Sequence, residues 1–231
     1  MSQTSPERPA RRTGSRSGGQ RNARGEETRL RILTAAERLF AEHGISAVPL
    51  RDIGVAAGQR NHAAVQYHFG DRDEVVKAIM EFRGAESEAR RADFVADLAV
   101  GGSASTVVDV VSAFVRPLAI HLQPDNHYLA FLSLYITEEG GYEGLIGVRT
   151  GASVITLRAL LGRLVPTIPK DVLDERWLTV ETGAVHALAR YHSAQRKRGR
   201  LPAGLDVLVE DLIVFLSAGL VAPLAPGDPR T

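Results

Sequence analysis

The side chains best suited to recognition chemistry lie in one stretch, SAVPLRDIGVAAGQRNHAAVQYHFGDR, residues 46–72. Asn61 and Gln66 can donate and accept together against an adenine edge, His62 can reach a guanine acceptor, and the methyls of Ala63 and Ala64 can touch a thymine methyl. Tyr67 and Arg72 suit phosphate oxygens, and Arg51, Arg60 and His68 join them as candidate DNA contacts. Catalytic patterns are missing: there is no G-x-S-x-G, G-x-G-x-x-G, P-loop or H-E-x-x-H, and no cysteine to serve as nucleophile, disulfide partner or thiolate ligand. The histidines fall partly in pairs six apart (62 and 68, 121 and 127, 186 and 192), which on a helix puts them on different faces. No metal, no cofactor and no enzymatic activity is expected. The competing class is a helical-bundle enzyme or metal protein whose N-terminal helix pair is only structural.

Two short helices and a supporting third must position these groups. Leu50, Ile53 and Ala57 recur at i, i+3 and i+7, one stripe of a helix that Gly58 closes. Asn61 can cap the next helix, Asn61 to Phe69, with Val65 and Phe69 inward and His62, Ala63, Gln66 and Tyr67 outward. A preceding helix, about Glu26 to Glu42, carries Leu30, Leu33, Ala36 and Phe40 as its packing stripe, widened by Ile32 and Leu39. Thr28 and Arg29 lie near its N-terminus, within reach of a DNA backbone. Gly54, inside the second helix, predicts close helix packing.

The segments TRLRILTAAERLFAEHG (28–44), LRDIGVAAG (50–58) and VQYHFGDRDEV (65–75) resemble the N-terminal DNA-binding domain of the TetR family of bacterial transcriptional regulators. The pattern positions include Thr28, Arg29, Phe40, Gly44, Asp52, Ile53, Gly58, Tyr67, His68, Phe69 and Asp73. Two departures stand out. One residue more than the usual pattern separates Gly58 from Phe69, and Pro49 replaces the customary hydroxyl residue. The resemblance covers residues 28–80 and implies a homodimer that sets two readers on a palindromic operator in double-stranded DNA, with an unidentified small-molecule effector releasing it, so that the protein acts as a repressor.

From Asp71 onward the pattern changes to longer helices, read at about 71–97, 104–123, 126–138, 144–165, 170–197 and 203–222, with Gly- and Pro-rich turns between them. The fold class is therefore all-α with about nine helices: an N-terminal three-helix helix-turn-helix DNA-binding domain, then a six-helix ligand-binding and dimerisation domain. The divisions are a basic arm without structure (1–25), the reader (26–70), the larger domain (71–224) and a tail (225–231). The last two helices carry apolar stripes, and Trp177, Leu188, Leu205, Leu208, Leu212, Phe215 and Leu216 are expected at a dimer interface, because a helix apolar on nearly every side must be buried. Phe114, His121, Tyr128, Phe131, Tyr135, Trp177 and His186 offer aromatic walls and polar handles for a ligand pocket. Glu138 and Glu139 lean that pocket toward a cation.

Charge is distributed to match. Residues 1–72 hold 12 Arg against 7 Asp or Glu, whereas residues 73–231 hold 16 basic and 20 acidic side chains, so the basic end is the end with the reader. The arm has no Val, Leu, Ile or aromatic residue before Leu30 and cannot offset its ordering entropy. No apolar segment follows its arginines, so no secretion signal is expected. The longest uncharged apolar stretch, near Leu212 to Gly227, contains Pro223 and Pro226 and falls short of a membrane span, which places the protein in the cytoplasm, off the membrane.

Overall fold

The computed structural model describes residues 16–61, 63–100, 105–138, 151–198, 201 and 203–224. Within them the chain forms nine helices and no strand: α1 (Arg16–His43), α2 (Leu50–Ala56), α3 (Ala64–Phe69), α4 (Arg72–Val100), α5 (Val107–Ala119), α6 (Tyr128–Glu138), α7 (Ala152–Leu164), α8 (Lys170–Arg198) and α9 (Leu205–Leu220). The all-helical class and the order of three N-terminal helices before six others agree with the sequence reading.

Local chemistry sets most boundaries. Gly58 adopts φ +69° after α2, and the Gln59 and Gly58 N–H groups bond the Gly54 and Val55 carbonyls at 2.9 and 3.0 Å, the paired closure of a Schellman turn. Thr106 and Asp109 form a reciprocal capping box at the start of α5, so that helix begins after 106 rather than at 104, and it ends at Ala119, two residues beyond its internal Pro117. The Arg176 guanidinium donates to the Leu220 and Ala222 carbonyls, both at 2.7 Å, satisfying the C-terminal end of α9.

Helix α1 begins at Arg16, ahead of the expected start at Glu26, and thus takes up the last part of the arm read as unstructured. Extending a helix already anchored by packing costs little, since the nucleus is formed. Residues 1–15 and the tail 225–231 lie outside the described residues. The inward face of α1 follows the stripe expected, with Ile32, Leu33, Ala36 and Phe40 buried, except that Leu30 is exposed.

One aromatic ladder joins the N-terminal helices to the rest. Phe131 of α6 stacks on Phe40 of α1, and Tyr128 and Tyr135 stack on its other sides, with centroid separations of 6.2, 6.3 and 6.4 Å. Beside it, Glu37 of α1 is buried and accepts from Arg83 Nε and Nη2 of α4 at 2.6 and 3.1 Å and from the His127 N–H at 3.0 Å. Glu138, read as a possible handle for a cationic ligand, instead accepts from the Ile45 N–H at 3.0 Å and holds the loop after α1. Glu139 lies outside the described residues.

The C-terminal helices correct the expected dimer set. Trp177, Leu188, Leu212 and Leu216 are buried within the single chain, because α9 packs its apolar side on α5 and α8. Leu205 and Leu208 are partly buried against the same core. Phe215 is different: it is 73% exposed and shares a face of α9 with Val207 and Val214, at 61% and 59%.

Candidate nucleic-acid interface and cavity

Helix α3 rests on the rest of the reader through Ala64 and Val65, both buried, and through Phe69, whose ring lies 4.9 Å from the Arg29 guanidinium of α1. Gly54 leaves α2 open toward α3, where an added Cβ would meet Val65 Cγ2 at 3.5 Å, an ordinary contact. Ala63, Gln66 and Tyr67 face solvent, Tyr67 at 85%. Gln66 and Tyr67 therefore lie on the outer face as expected. Val65 anchors the helix, and Phe69 is half-buried.

Other candidates are placed differently. Ala64, expected among the DNA contacts, is only 8% exposed and packs inward, because α3 starts later than expected and its first turn is seated on the core. Asn61 does not cap α3: its Oδ1 accepts from the Ala63 N–H at 2.9 Å, closing the turn that precedes the helix, and Ala63 stands at the N-cap with no side-chain bond. Arg72 is half-buried, donates from Nη2 to the Val48 carbonyl at 2.9 Å, and so ties the start of α4 to the loop before α2 instead of presenting a free guanidinium to phosphate. Arg51 and Arg60 are exposed, Thr28 and His68 half-buried. His62 lies outside the described residues. Pro49 precedes α2 with no side-chain cap.

Behind α4 lies a cavity of about 430 Å³, a size typical of small-molecule sites. Of the residues expected to line it, Phe114 and Tyr128 do. Trp177 sits directly behind Phe114, edge to face at 5.5 Å. Phe131 and Tyr135 belong to the aromatic ladder, and His186 is bonded to Ser133 at 2.7 Å between α6 and α8. His121 is walled off by its own partners. Ser87 Oγ donates to the Pro117 carbonyl at 3.2 Å and so accepts from His121 Nε2 at 2.9 Å, while Nδ1 faces the Asn126 amide at 3.2 Å. That chain of bonds suits a neutral imidazole, and burial, aided by Arg83 and Arg90, pushes its pKa down to about 4.

The charged groups that reach the cavity were not among those expected. Glu88 and Arg91 of α4 and Glu181 of α8 line it, with Arg91 and Glu181 buried. A partial signal exists for Arg91 alone: Val76, Met80, Gly84, Ser87 and Arg91 recur at spacings of three and four, so Ser87 and Arg91 interrupt the inward stripe of a helix that otherwise reads as a plain connector, whereas nothing in the spacing marks Glu88 or Glu181. Among the described residues no group of three or more His, Asp or Glu is placed to hold a metal ion.

Comparison with known proteins bears on the N-terminal helices. Residues 32–79 match the family model described as "Bacterial regulatory proteins, tetR family". The "HTH-type transcriptional repressor Rv3405c" of Mycobacterium tuberculosis is 43% identical over 61 residues, 26% of this chain and 32% of that protein. The "HTH-type transcriptional regulator SrpR" of Pseudomonas putida is 37% identical over 86 residues, 37% of this chain and 38% of that protein. The matched segment thus spans about a third of the length of these curated relatives. Among solved structures, that of AmtR from Mycobacterium smegmatis aligns with a TM-score of 0.49 at 18% identity, over 85% of this chain and 86% of that one.

Proposed function

We propose that this chain, which carries the DNA-binding domain of the TetR family over residues 32–79, is a sequence-specific transcriptional regulator, a repressor released from a palindromic operator by a small molecule. The observation that carries the reading is the outer face of α3: Ala63, Gln66 and Tyr67 are exposed together on a helix whose Ala64 and Val65 are buried, which offers hydrogen-bonding and phosphate-binding groups on a rigid support. Arg51, Arg60 and Thr28 flank that face for phosphate contacts, and His62 and His68 complete the candidate reader. Residues 26–70 serve as reader and 71–224 as ligand-binding and dimerisation domain. The exposed apolar face of α9, Val207, Val214 and Phe215, is the surface for a second copy of the chain. Among the described residues no helix is long and apolar enough to cross a membrane, in keeping with a regulator that works on DNA in the cytoplasm.

Switching follows from α4. The same helix bears Arg72, bonded to the reader loop, and the cavity residues Met80 to Arg91. A ligand in the cavity that favours one position of α4 over another changes the spacing of two readers, by no more than its differential affinity for the two states. The helical-bundle enzyme or metal protein is not favoured, since the relatives matching this segment are named as transcriptional regulators. Sequencing the fragments retained by the purified protein from a random DNA pool tests the proposal. A palindromic motif is expected; a pool without enrichment would contradict it.

A further inference from the structure

The cavity behind α4 has a charged floor with an unmet hydrogen-bond requirement. Arg91 is 5% exposed, its guanidinium lies 5.3 Å from the Phe114 ring centroid, and its Nη1 donates to Glu88 Oε2 at 2.9 Å. Its Nε is buried with no partner. An unpaired buried donor is costly, and a charged one more so. Glu88 does not relieve it, because its other oxygen accepts from the Ser153 N–H at 2.8 Å at the start of α7, and Gly151 lies so close to that carboxylate that a Cβ there would run into it. The Glu88 carboxylate is thus committed to Arg91 and to the α7 terminus.

We propose that the cavity binds a weakly acidic, mainly apolar small molecule, whose carboxylate accepts from Arg91 while its body lies along Met80, Phe114, Leu118, Leu132, Val154 and Val185. The inference rests on the reading of this cavity as the effector site. Glu181, buried beside Arg91, completes the recognition. Burial pushes its carboxyl up to about 7 against the opposing pull of Trp177 and Arg91, so near neutrality it is available as a protonated donor. The groups around it are Arg91 and Glu88 from α4 and Tyr128 from α6. Burial raises the Tyr128 phenol to about 12, keeping it a neutral hydroxyl. Phe114 of α5, Gly151 at the N-cap of α7 and Val154 within it add no charge, and Lys77 and Glu81 lie further along α4. An anion at Arg91 favours the protonated form of Glu181. A cation would instead face Arg91, require Glu181 to ionise against its burial, and leave the Arg91 Nε–H unmet.

The test is calorimetric titration of the full chain with 5-phenylpentanoate, 5-phenylpentanamide and 5-phenylpentylammonium, one skeleton with three heads. The acid is expected to bind at least tenfold tighter than the amide at pH 6.5, and the ammonium weakest. Acid affinity should be level between about pH 5.5 and 6.5, fall below about pH 5 as the ligand's own carboxylate takes up a proton, and fall above pH 7 by up to tenfold per pH unit, because binding then requires Glu181 to take up a proton. Glu181→Gln should abolish that slope while retaining the preference for the acid, and Arg91→Gln should erase the gap between acid and amide. Should Arg91→Gln fail to fold, the wild-type series and Glu181→Gln decide. Binding of the amide or ammonium as tight as the acid, or no saturable binding of the acid, would overturn the proposal. Operator release is measured separately: an acid that binds with this signature and leaves DNA affinity unchanged supports the cavity chemistry and refutes the effector reading.

Discussion

At the scale of single residues, the buried polar groups are mostly satisfied, and their satisfaction dictates pH behaviour. His121 is held neutral between Ser87 and Asn126, with its pKa near 4 in the folded chain. The unfolded chain takes up this proton near 6.5, so below that value acid favours unfolding. The stability that His121 contributes is full above pH 6.5 and is lost as pH falls toward 4, on the order of 3 kcal/mol by linkage. Urea unfolding across that window should show the loss, and His121→Gln should reduce it. His127 and His192, each lowered mainly by burial, leave a remainder. From the sequence His121 is only an aromatic handle, because the partners that neutralise it come from α4 and from the loop after α5 and no spacing reveals them. Gly54 was legible as a packing position, yet the gap beside Val65 accepts a methyl at 3.5 Å. Gly54→Ala should therefore stabilise the chain by about 0.5–1 kcal/mol through helix propensity, read as a higher denaturant midpoint. A loss of stability would mean that α2 and α3 approach more closely than described.

At the scale of elements, α4 is the member on which both candidate sites depend. It holds the reader through Arg72, the α1–α6 junction through Arg83, and the cavity floor through Glu88 and Arg91. Removing Arg83 leaves Glu37, whose side chain is 3% exposed, buried without its ion partner. Arg83→Ala should cost about 3–5 kcal/mol of stability, measured by urea unfolding, and a cost below about 1 kcal/mol would show that the junction is wet. Helix periodicity and turn residues made the number and order of the helices legible. Starts and ends were less so. The start of α5 depends on the reciprocal bonds of Thr106 and Asp109, and the start of α3 on an Asn61 side chain that closes a turn rather than a helix. Those are choices between local hydrogen bonds of similar strength, which a hydrophobic pattern does not encode. The cavity was legible as a region and as two of its aromatic walls, Phe114 and Tyr128. Its charged floor was not, because α4 reads as a link and its inward polar residues become meaningful only once α7 and α8 close over them.

At the scale of the whole molecule, the apolar face of α9 and the outer face of α3 must work together if two readers are to span a palindrome. Leu212 is buried in its own chain and would report on protomer folding; Phe215 is exposed, on the face proposed above for a second copy. Phe215→Glu should give folded monomers of unchanged helical content, seen by sedimentation and circular dichroism, with operator affinity reduced at least tenfold. A dimer that survives this change would place the interface elsewhere. The central claim, that α3 reads bases while neighbouring arginines hold phosphates, is tested most directly by a salt titration of binding to the selected site and to a random duplex, for the wild type, Gln66→Ala and Arg51→Ala. Gln66→Ala should lose about 1–3 kcal/mol on the selected site, little on the random duplex, and keep its salt slope, whereas Arg51→Ala should weaken both and flatten the slope by about 0.9 for each phosphate no longer neutralised. Equal losses for Gln66→Ala on both duplexes would contradict the account.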